Sequence, residues 1–495
     1  MRKGKKTMAL LLSVAIFASL GVGCSSKKGQ TGDKEVSQNQ GTSTTAYADV
    51  QKPDSIHWWV HSGMNEENGV PQWEKEFERL TDIELNLETI SNNEYYTLLE
   101  LAFASDTVPE VFDLSAEQKL ATYAKQGAVA DLTDLVKESG LYDKVDKSLW
   151  DAVSIDGKIY GVPMEIASGA VTYIRQDWLD RLGLKAPTNY DEFIEVLRQF
   201  RDNIEECKVP LTSPGLKANA NLPEFYQGAS YDFVKVGDTW VDGFAQDNMA
   251  AALQRMRDAY AEGLIDLEVV TNTTSNCRDQ WYSGSVGVFN YWGGLWGQTL
   301  TERLQVNVPE ANVLAMDPIE NAVYYYSVPS VLCISADVPA EKTAQIFKYF
   351  FDYMHDGKEG QVLFESGVEG LHWEQDGEYR KPLPTLSNPD EVLNKAWITP
   401  WMTISPLELT DKKIQLEEPV SYSLSVLEKY AEQKVAFPVS NTLNKIVSDL
   451  TLVREEILAK VVMGDMTVEE GMEKYNKEAD ELNVEQVLKE LNNQQ

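Results

Sequence analysis

The stretch Asp151–Trp178, DAVSIDGKIYGVPMEIASGAVTYIRQDW, decides the fold. Asp156-Gly157 stands between Ala-Val-Ser-Ile and Lys-Ile-Tyr-Gly-Val. Asp-Gly between two strand-like runs predicts a β-hairpin, because a type I′ turn needs positive φ at both central residues. Pro163 and Glu165 follow, then an apolar run through Val171, Tyr173 and Ile174, then a helical start at Asp177. One extended segment thus leaves a hairpin, passes a carboxylate and enters a second block of helices and strands. The expectation is a crossing between two lobes, over the floor of a cleft.

The length supports two lobes, since 495 residues exceed what one ordinary core holds. A hydrophobic content of 43 % with 10 % aromatic residues describes a buried globular body. The formal charge of −34 argues against nucleic acid as a partner, because phosphate binding needs clustered Lys and Arg.

The N-terminus resembles a bacterial lipoprotein signal. Arg2, Lys3, Lys5 and Lys6 form a basic start, and Met8 to Val22 is apolar but short for a membrane span. Gly21-Val22-Gly23 leads into Cys24, which cleavage would leave as a lipid-bearing N-terminus, with Gly21 where a large apolar residue is usual. Losing those four cations takes the charge from −34 to −38. The polar stretch 27–51 reads as a flexible tether. Cys207, Cys277 and Cys333 are far apart and odd in number, so buried or free thiols are expected rather than disulfides or a zinc site.

Ser55–Val60, Glu84–Ile90 and 109–114 read as strands, separated by helices that start near Val70 and Tyr95. This order implies an α/β lobe with a largely parallel sheet, whose ligands sit beyond the carboxyl ends of the strands. Those ends are Trp58 to Gly63 and Asp113 to Glu117. Beyond the crossing, Thr188 and Asp191 have capping-box spacing, as do Thr467 and Glu470. Ser283–Tyr291 is a glycine-spaced strand running into Trp292-Gly-Gly-Leu-Trp296, and the apolar run 323–335 is placed to return the chain to the first lobe.

No GxSxG, HExxH, GxxxxGK[ST] or GxGxxG-after-strand motif occurs, and four histidines (His57, His61, His355, His372) do not suggest a metal site. No metal and no cofactor is expected. Tryptophans beside polar groups stand out instead. Sugar rings offer apolar C–H faces and hydroxyl edges, which flat aromatic platforms and nearby carboxylates or amides can hold. Trp58 or Trp59 with His61, Trp292 and Trp296 with Asn290, His372 and Trp373, and Trp401 fit that description, and each fits core packing as well. Trp58 and Trp59 face opposite ways in a strand, so one at most meets a cleft. Asp113, Glu117 and Glu165 serve either as ligand acceptors or as solvated or capping carboxylates. Trp73, Trp150, Trp178 and Trp240 are assigned to packing.

The segments FASDTVPEVFDL, YAKQGAVADLTDLV, DGKIYGVPME, YIRQDWLDRLGLKAPTNYDEF, DAYAEGLIDLE, SGSVGVFNYWGGLW, GVEGLHWEQDG and the terminal GDMTVEEGMEKYNKEADELNVEQVLKELN together resemble an extracellular solute-binding protein of a carbohydrate-uptake ABC transporter. The resemblance is to the lipoprotein branch of that family. It implies an α/β, two-lobed periplasmic-binding-protein-like fold of type II, with a sugar or oligosaccharide held in the cleft. Under it, residues 1–23 are the signal peptide and 24–53 the lipidated Cys24 with its tether. The first lobe takes 54–164 and a return segment 319–368, and the second takes 165–318 and 369–495. Asp113 and Glu117 match polar positions after the third strand, and Glu165 the hinge carboxylate, a match that slides as far as Ser168. Trp292 matches a second-lobe aromatic, and Trp373 or Trp401 a late stacking one. The implied protein is a monomer on the outer face of the cell membrane, lipid-anchored and partnered by permease subunits. The alternatives are a surface glycoside hydrolase and a glycan-binding or sensor-partner lipoprotein outside transport.

Overall fold

The computed structural model describes residues 46–61, 69–90, 94–105, 107–114, 117–145, 147–163, 169–217, 221–326, 331–383, 413–414, 416–433 and 440–493. The strands of its two large sheets are, in chain order, β1 (Ser55–His61), β2 (Glu84–Ile90), β3 (Val111–Leu114), β4 (Val162–Pro163), β5 (Ala170–Arg175), β6 (Val209–Thr212), β7 (Val286–Trp292), β8 (Val313–Met316) and β9 (Val331–Ile334).

The first lobe is built on the sheet β2-β1-β3-β9-β4. Strands β1, β2 and β3 are parallel, as the alternation of strand and helix requires, while β9 runs antiparallel to both β3 and β4. Alternation in β1 sends Ile56, Trp58 and Val60 into a core shared with Phe77, Phe350 and Phe364. Val70–Thr81, carrying Trp73 and Phe77 at helical spacing, covers that face.

The second lobe is built on the sheet β8-β5-β7-β6, with β5 antiparallel to β7 and β8, and β6 parallel to β7. Both of its faces are buried. Ile174, Val288 and Met316 lie on one face with Trp178 and Phe193, against the terminal helix residues Ile457 and Leu458. Val171, Tyr173 and Phe289 lie on the other, against Trp281, Leu300 and Leu427. Trp150 and Trp240, like Trp73 and Trp178, are buried, in keeping with their assignment to packing.

The hairpin of the deciding stretch forms as its pattern predicts. Asp156 and Gly157 both have positive φ, 52° and 76°, and join the paired segments Ser154–Ile155 and Lys158–Ile159. The chain then edges the first sheet as β4 and reappears at Gly169 to enter the second as β5. A return passage lies between Tyr326 and Val331. A third lies between Ile414, paired to the hairpin of Trp373–Asp376 and Tyr379–Pro382, and the second-lobe helix Glu418–Tyr430.

Two expected boundaries move. Residues 319–326 stay with the second lobe, where Tyr324 is buried beside Val171 and Tyr173 and Tyr325–Tyr326 pair with Glu432–Gln433. Residues 369–382 stay with the first, because Trp373 packs on Val362 and Arg380 pairs with Glu365. One cap also shifts. Asn189, not Thr188, caps Tyr190–Asn203 by accepting from the Glu192 backbone, while the Glu192 carboxylate takes Thr188 N–H and O–H. The Thr467–Glu470 box forms as spaced.

Gly169 marks where the outgoing and returning passages touch. Its carbonyl accepts from Gly293 N–H at 2.8 Å, and it bridges to Tyr326. A Cβ there would overlap the Tyr325 carbonyl oxygen and stand 3.0 Å from Leu427 Cδ2. Gly169→Ala is therefore expected to lower unfolding free energy by about 1–3 kcal/mol through overpacking. An unchanged denaturant midpoint would count against this close approach.

Candidate ligand-binding site

The end of the second sheet that faces the passages is set by strand direction. Trp292 pairs with Ala170, the first residue of β5, and Asn290 pairs with Thr172. Being two residues apart on one strand, Asn290 and Trp292 lie on the same face. Trp292 is 41 % exposed, and Tyr173 donates its hydroxyl to the Trp292 carbonyl at 2.9 Å, fixing the strand end beneath it. Gly293 and Gly294 follow before the helix Leu295–Asn307, so little side chain stands beside the indole. Among the described tryptophans expected to stack, this one offers an open face.

Trp296 is half-buried, edge-on to Tyr291 at 5.0 Å and with the Arg278 guanidinium 5.2 Å above its ring. That ring is occupied as a packing element and a cation partner. Asn290 is buried at 4 % exposure, and its Nδ2 donates to Thr172 Oγ1 at 3.0 Å. Thr172 in turn donates to Glu224 Oε1 at 2.6 Å. Glu224, on the short helix Pro223–Tyr226, is not marked by the sequence pattern, because its partner Thr172 lies 52 residues away. A carboxylate inside the apolar run Leu-Pro-Glu-Phe-Tyr was the available signal. Burial pushes its carboxyl up to about 7, against the lowering effect of the Thr172 bond.

The other expected ligand residues of the first lobe are enclosed to different depths. Trp58 is wholly buried, 4.9 Å from the Phe350 ring and 6.2 Å from that of Trp73, because helices cover both faces of a mainly parallel sheet. Trp59, on the opposite face, is half-buried and edge-on to His57. His372 and Trp373 are buried too. His372 Nδ1 accepts from Val368 N–H at 2.8 Å, and Trp373 Nε1 donates to the Gly367 carbonyl at 3.0 Å, so both close a turn of the first lobe. Asp113 is buried, and its backbone N–H and C=O both meet the Tyr95 hydroxyl. Glu117 begins the helix Glu117–Gln126. Glu165, Trp401 and Cys24, and the side chains of His61 and Glu117, lie outside the described residues.

The first-lobe root of the outgoing passage holds a buried histidine. His355 Nε2 donates to the Pro163 carbonyl at 3.2 Å, which places the proton on Nε2, and burial pushes the imidazole down to about 4. Cys207, Cys277 and Cys333 are unpaired thiols. Among the described residues no group of three or more His, Cys, Asp or Glu is placed to hold a metal ion, and no helix is long and apolar enough to cross a membrane.

Two α/β lobes between which the chain passes more than once, with an open aromatic face at the inner end of one sheet, define a two-lobed binding protein of the type II periplasmic class. The chain belongs to the family of bacterial extracellular solute-binding proteins, whose pattern matches residues 65–345. It is 23 % identical over 225 residues to the polygalacturonan/rhamnogalacturonan-binding protein YtcQ of Bacillus subtilis, covering 43 % of this chain and 45 % of that one. It is 29 % identical over 213 residues to the diacetylchitobiose-binding protein DasA of Streptomyces coelicolor, covering 42 % and 48 % respectively. The matches thus span about half the length of these relatives. In three dimensions the chain resembles the alginate-binding protein AlgQ2, with a TM-score of 0.68 at 19 % identity over 90 % of this chain and 98 % of that one. These relatives and neighbours are binding proteins.

Proposed function

We propose that the protein is a lipid-anchored extracellular receptor that captures a carbohydrate, an oligosaccharide rather than a single sugar, and delivers it to the permease of an ABC transporter. The open face of Trp292, at the inner end of the second-lobe sheet, is the observation that carries this reading. A flat indole beside buried amide and hydroxyl groups suits the C–H face and hydroxyl edge of a sugar ring. The relatives named for binding polygalacturonan, diacetylchitobiose and fructooligosaccharide support the same ligand class. Cys24 carries the anchor in this reading, and the tether to the outer face of the membrane ends sooner than residue 53, because Tyr47 donates to Asp352 and Lys348 holds the Tyr47, Ala48 and Val50 carbonyls against the first lobe.

Capture follows from the physics of two lobes. Contacts made by both lobes exist only when the cleft is shut, so ligand favours the closed state by differential affinity. Shifting such an equilibrium from mostly open to mostly closed takes about 5.5 kcal/mol, which stacking and several charge-assisted hydrogen bonds supply. The closed form then docks on the permease, and the receptor itself turns nothing over.

The test is a thermal-shift screen against neutral and acidic oligosaccharides, followed by analysis of the recovered sugar. Sugars that raise the melting temperature and return unchanged support the receptor. Shortened sugar products would instead identify a hydrolase. With the best ligand, Trp292→Ala is expected to weaken binding about 10- to 100-fold, the loss of one stacked ring worth ~1–3 kcal/mol. Wild-type affinity in that variant would remove Trp292 from the site.

A further inference from the structure

The inner end of the second lobe holds a buried polar chain with a direction. Asn290 Nδ2 donates to Thr172 Oγ1, and Thr172 Oγ1 donates to Glu224 Oε1. Asn290 Oδ1 has no hydrogen-bond partner among the described residues, and Glu224 is only 1 % exposed. The chain is also tied to the passages between lobes. Thr172 N–H donates to the Tyr324 hydroxyl at 3.3 Å, which donates to the Met316 carbonyl at 3.0 Å just before the chain returns to the first lobe.

The groups around Glu224 leave its charge uncompensated. Tyr324 is a buried neutral phenol whose ionisation the nearby carboxylate opposes, so it brings no positive charge. Arg255, on the helix Asp247–Ala261, spends its guanidinium on the Phe225 and Tyr226 carbonyls. Tyr190 stands edge-on to Phe225, Tyr226 donates to the Leu216 carbonyl, and Asp317 is exposed and accepts from the Tyr430 hydroxyl. Of the sheet, Thr172 meets the carboxylate, and the residues paired with it on the flanking strands, Asn290 and Met316, are uncharged. A carboxyl held near 7 by burial alone exists in both forms at neutral pH.

Protonation reverses the chain. An ionised carboxylate only accepts, so the Thr172 proton points to it, the Asn290 amide group donates to Thr172, and Oδ1 is the free end. A carboxyl protonated on Oε1, the oxygen that Thr172 meets, donates to Thr172 Oγ1, the Thr172 proton turns to Asn290, and the amide presents its oxygen inward, leaving NH₂ as the free end. We infer that Glu224 is a proton-linked positioning residue: through Thr172 it sets whether Asn290 offers an acceptor or a donor to the captured ligand, and a hydroxyl-donating sugar binds more tightly when Glu224 is ionised. This rests on the carbohydrate reading of the cleft.

Asn290 lies two residues inward from Trp292 on the same strand face, one strand step from a ring stacked on that indole. Its oxygen is buried in the ligand-free protein, so contact with a hydroxyl forms only in the ligand-bound state. A hydroxyl donated to Oδ1 polarises the amide and strengthens its donation to Thr172, and through it to Glu224. Ligand binding thereby lowers the Glu224 pKa. By linkage, each unit of lowering makes affinity about tenfold stronger at the alkaline limit than at the acid one.

The experiment has two arms on the full folded protein between about pH 5.5 and 8.5, a window spanning the ordinary carboxyl range and the raised one. In the ligand-free protein, the Asn290 side-chain amide signals, assigned by their loss in Asn290→Asp, are followed by NMR. They are expected to move through one titration near neutrality in the wild type and to stay put in Glu224→Gln. Static wild-type signals, or equal movement in Glu224→Gln, overturn the inference. In the second arm, kestose and diacetylchitobiose, which do not titrate, are bound calorimetrically. Affinity is expected to rise several-fold with pH in the wild type and to be flat in Glu224→Gln, and matching pH profiles overturn the inference. If neither these sugars nor the wider panel binds at any pH, the receptor reading falls, while the amide titration still decides the role of Glu224.

Discussion

Replacing Arg454 with alanine is expected to lower the unfolding free energy by about 3–5 kcal/mol, because it strands a buried carboxylate. Arg454 Nη2 donates to Asp242 Oδ1 at 2.8 Å, and its Nε and Nη2 donate to the Tyr475 hydroxyl at 3.1 and 3.0 Å. Tyr475 donates in turn to Asp242 Oδ2 at 2.6 Å, closing a three-membered ring of bonds. The guanidinium also lies within 6 Å of the rings of Tyr231, Phe233, Phe244 and Tyr475. Alanine removes those contacts and leaves Asp242, buried, with the Tyr475 hydroxyl and the Phe244 N–H as donors. A guanidinium chloride titration followed by tryptophan fluorescence reads the loss. A change under about 0.5 kcal/mol, the range of ordinary surface substitutions, would show that the ring contributes nothing net.

Arg380→Ala is the second large effect, expected at about 3 kcal/mol and felt by the first lobe. Arg380 Nη2 meets Glu365 Oε2 at 2.5 Å, and Nη1 donates to Ser366 Oγ at 2.8 Å. Both members of the pair are buried, so water cannot replace the lost cation around Glu365. The Gln361 amide, 3.1 Å from Glu365 Oε1, offsets only part of the charge. Replacing both partners, Arg380→Met with Glu365→Met, is expected to recover most of the loss, since breaking a buried pair costs far more than substituting it whole. A double variant as unstable as Arg380→Ala would mean that the guanidinium acts through packing instead.

The ladder of strands was legible because its signals are local. Alternation in Ser55–His61, the Asp156-Gly157 turn and the Thr467–Glu470 box each need only neighbouring residues. The partition of tryptophans was not. Period two puts Trp58 and Trp59 on opposite faces but cannot say which face a helix covers, and here both are covered to different depths. His372 and Trp373 sit in a turn-rich stretch that suggests exposure, yet Gly69, Gly367 and Val362 close over them. Glu224, Thr172 and Asn290 come from three segments, with Thr172 and Asn290 118 residues apart, so no window along the chain could join them. Trp292 was visible because the glycines that free its ring follow it directly in sequence.

The bonds that finish the second lobe join residues very distant along the chain. Arg454 reaches back 212 residues to Asp242, and Asn492 reaches back 252 residues to both the N–H and the carbonyl of Trp240. A polypeptide emerging from the ribosome or from an export channel reaches Trp240 long before it can supply either partner. The hairpin Phe233–Val236 with Thr239–Asp242 must wait, its aromatic residues uncovered, until the closing helices arrive. Such nonlocal closure is slow and leaves the waiting surface open to wrong partners. Biogenesis of this protein therefore has a vulnerable interval, one that a holding chaperone on the hairpin would shorten and that truncation before residue 440 would make permanent.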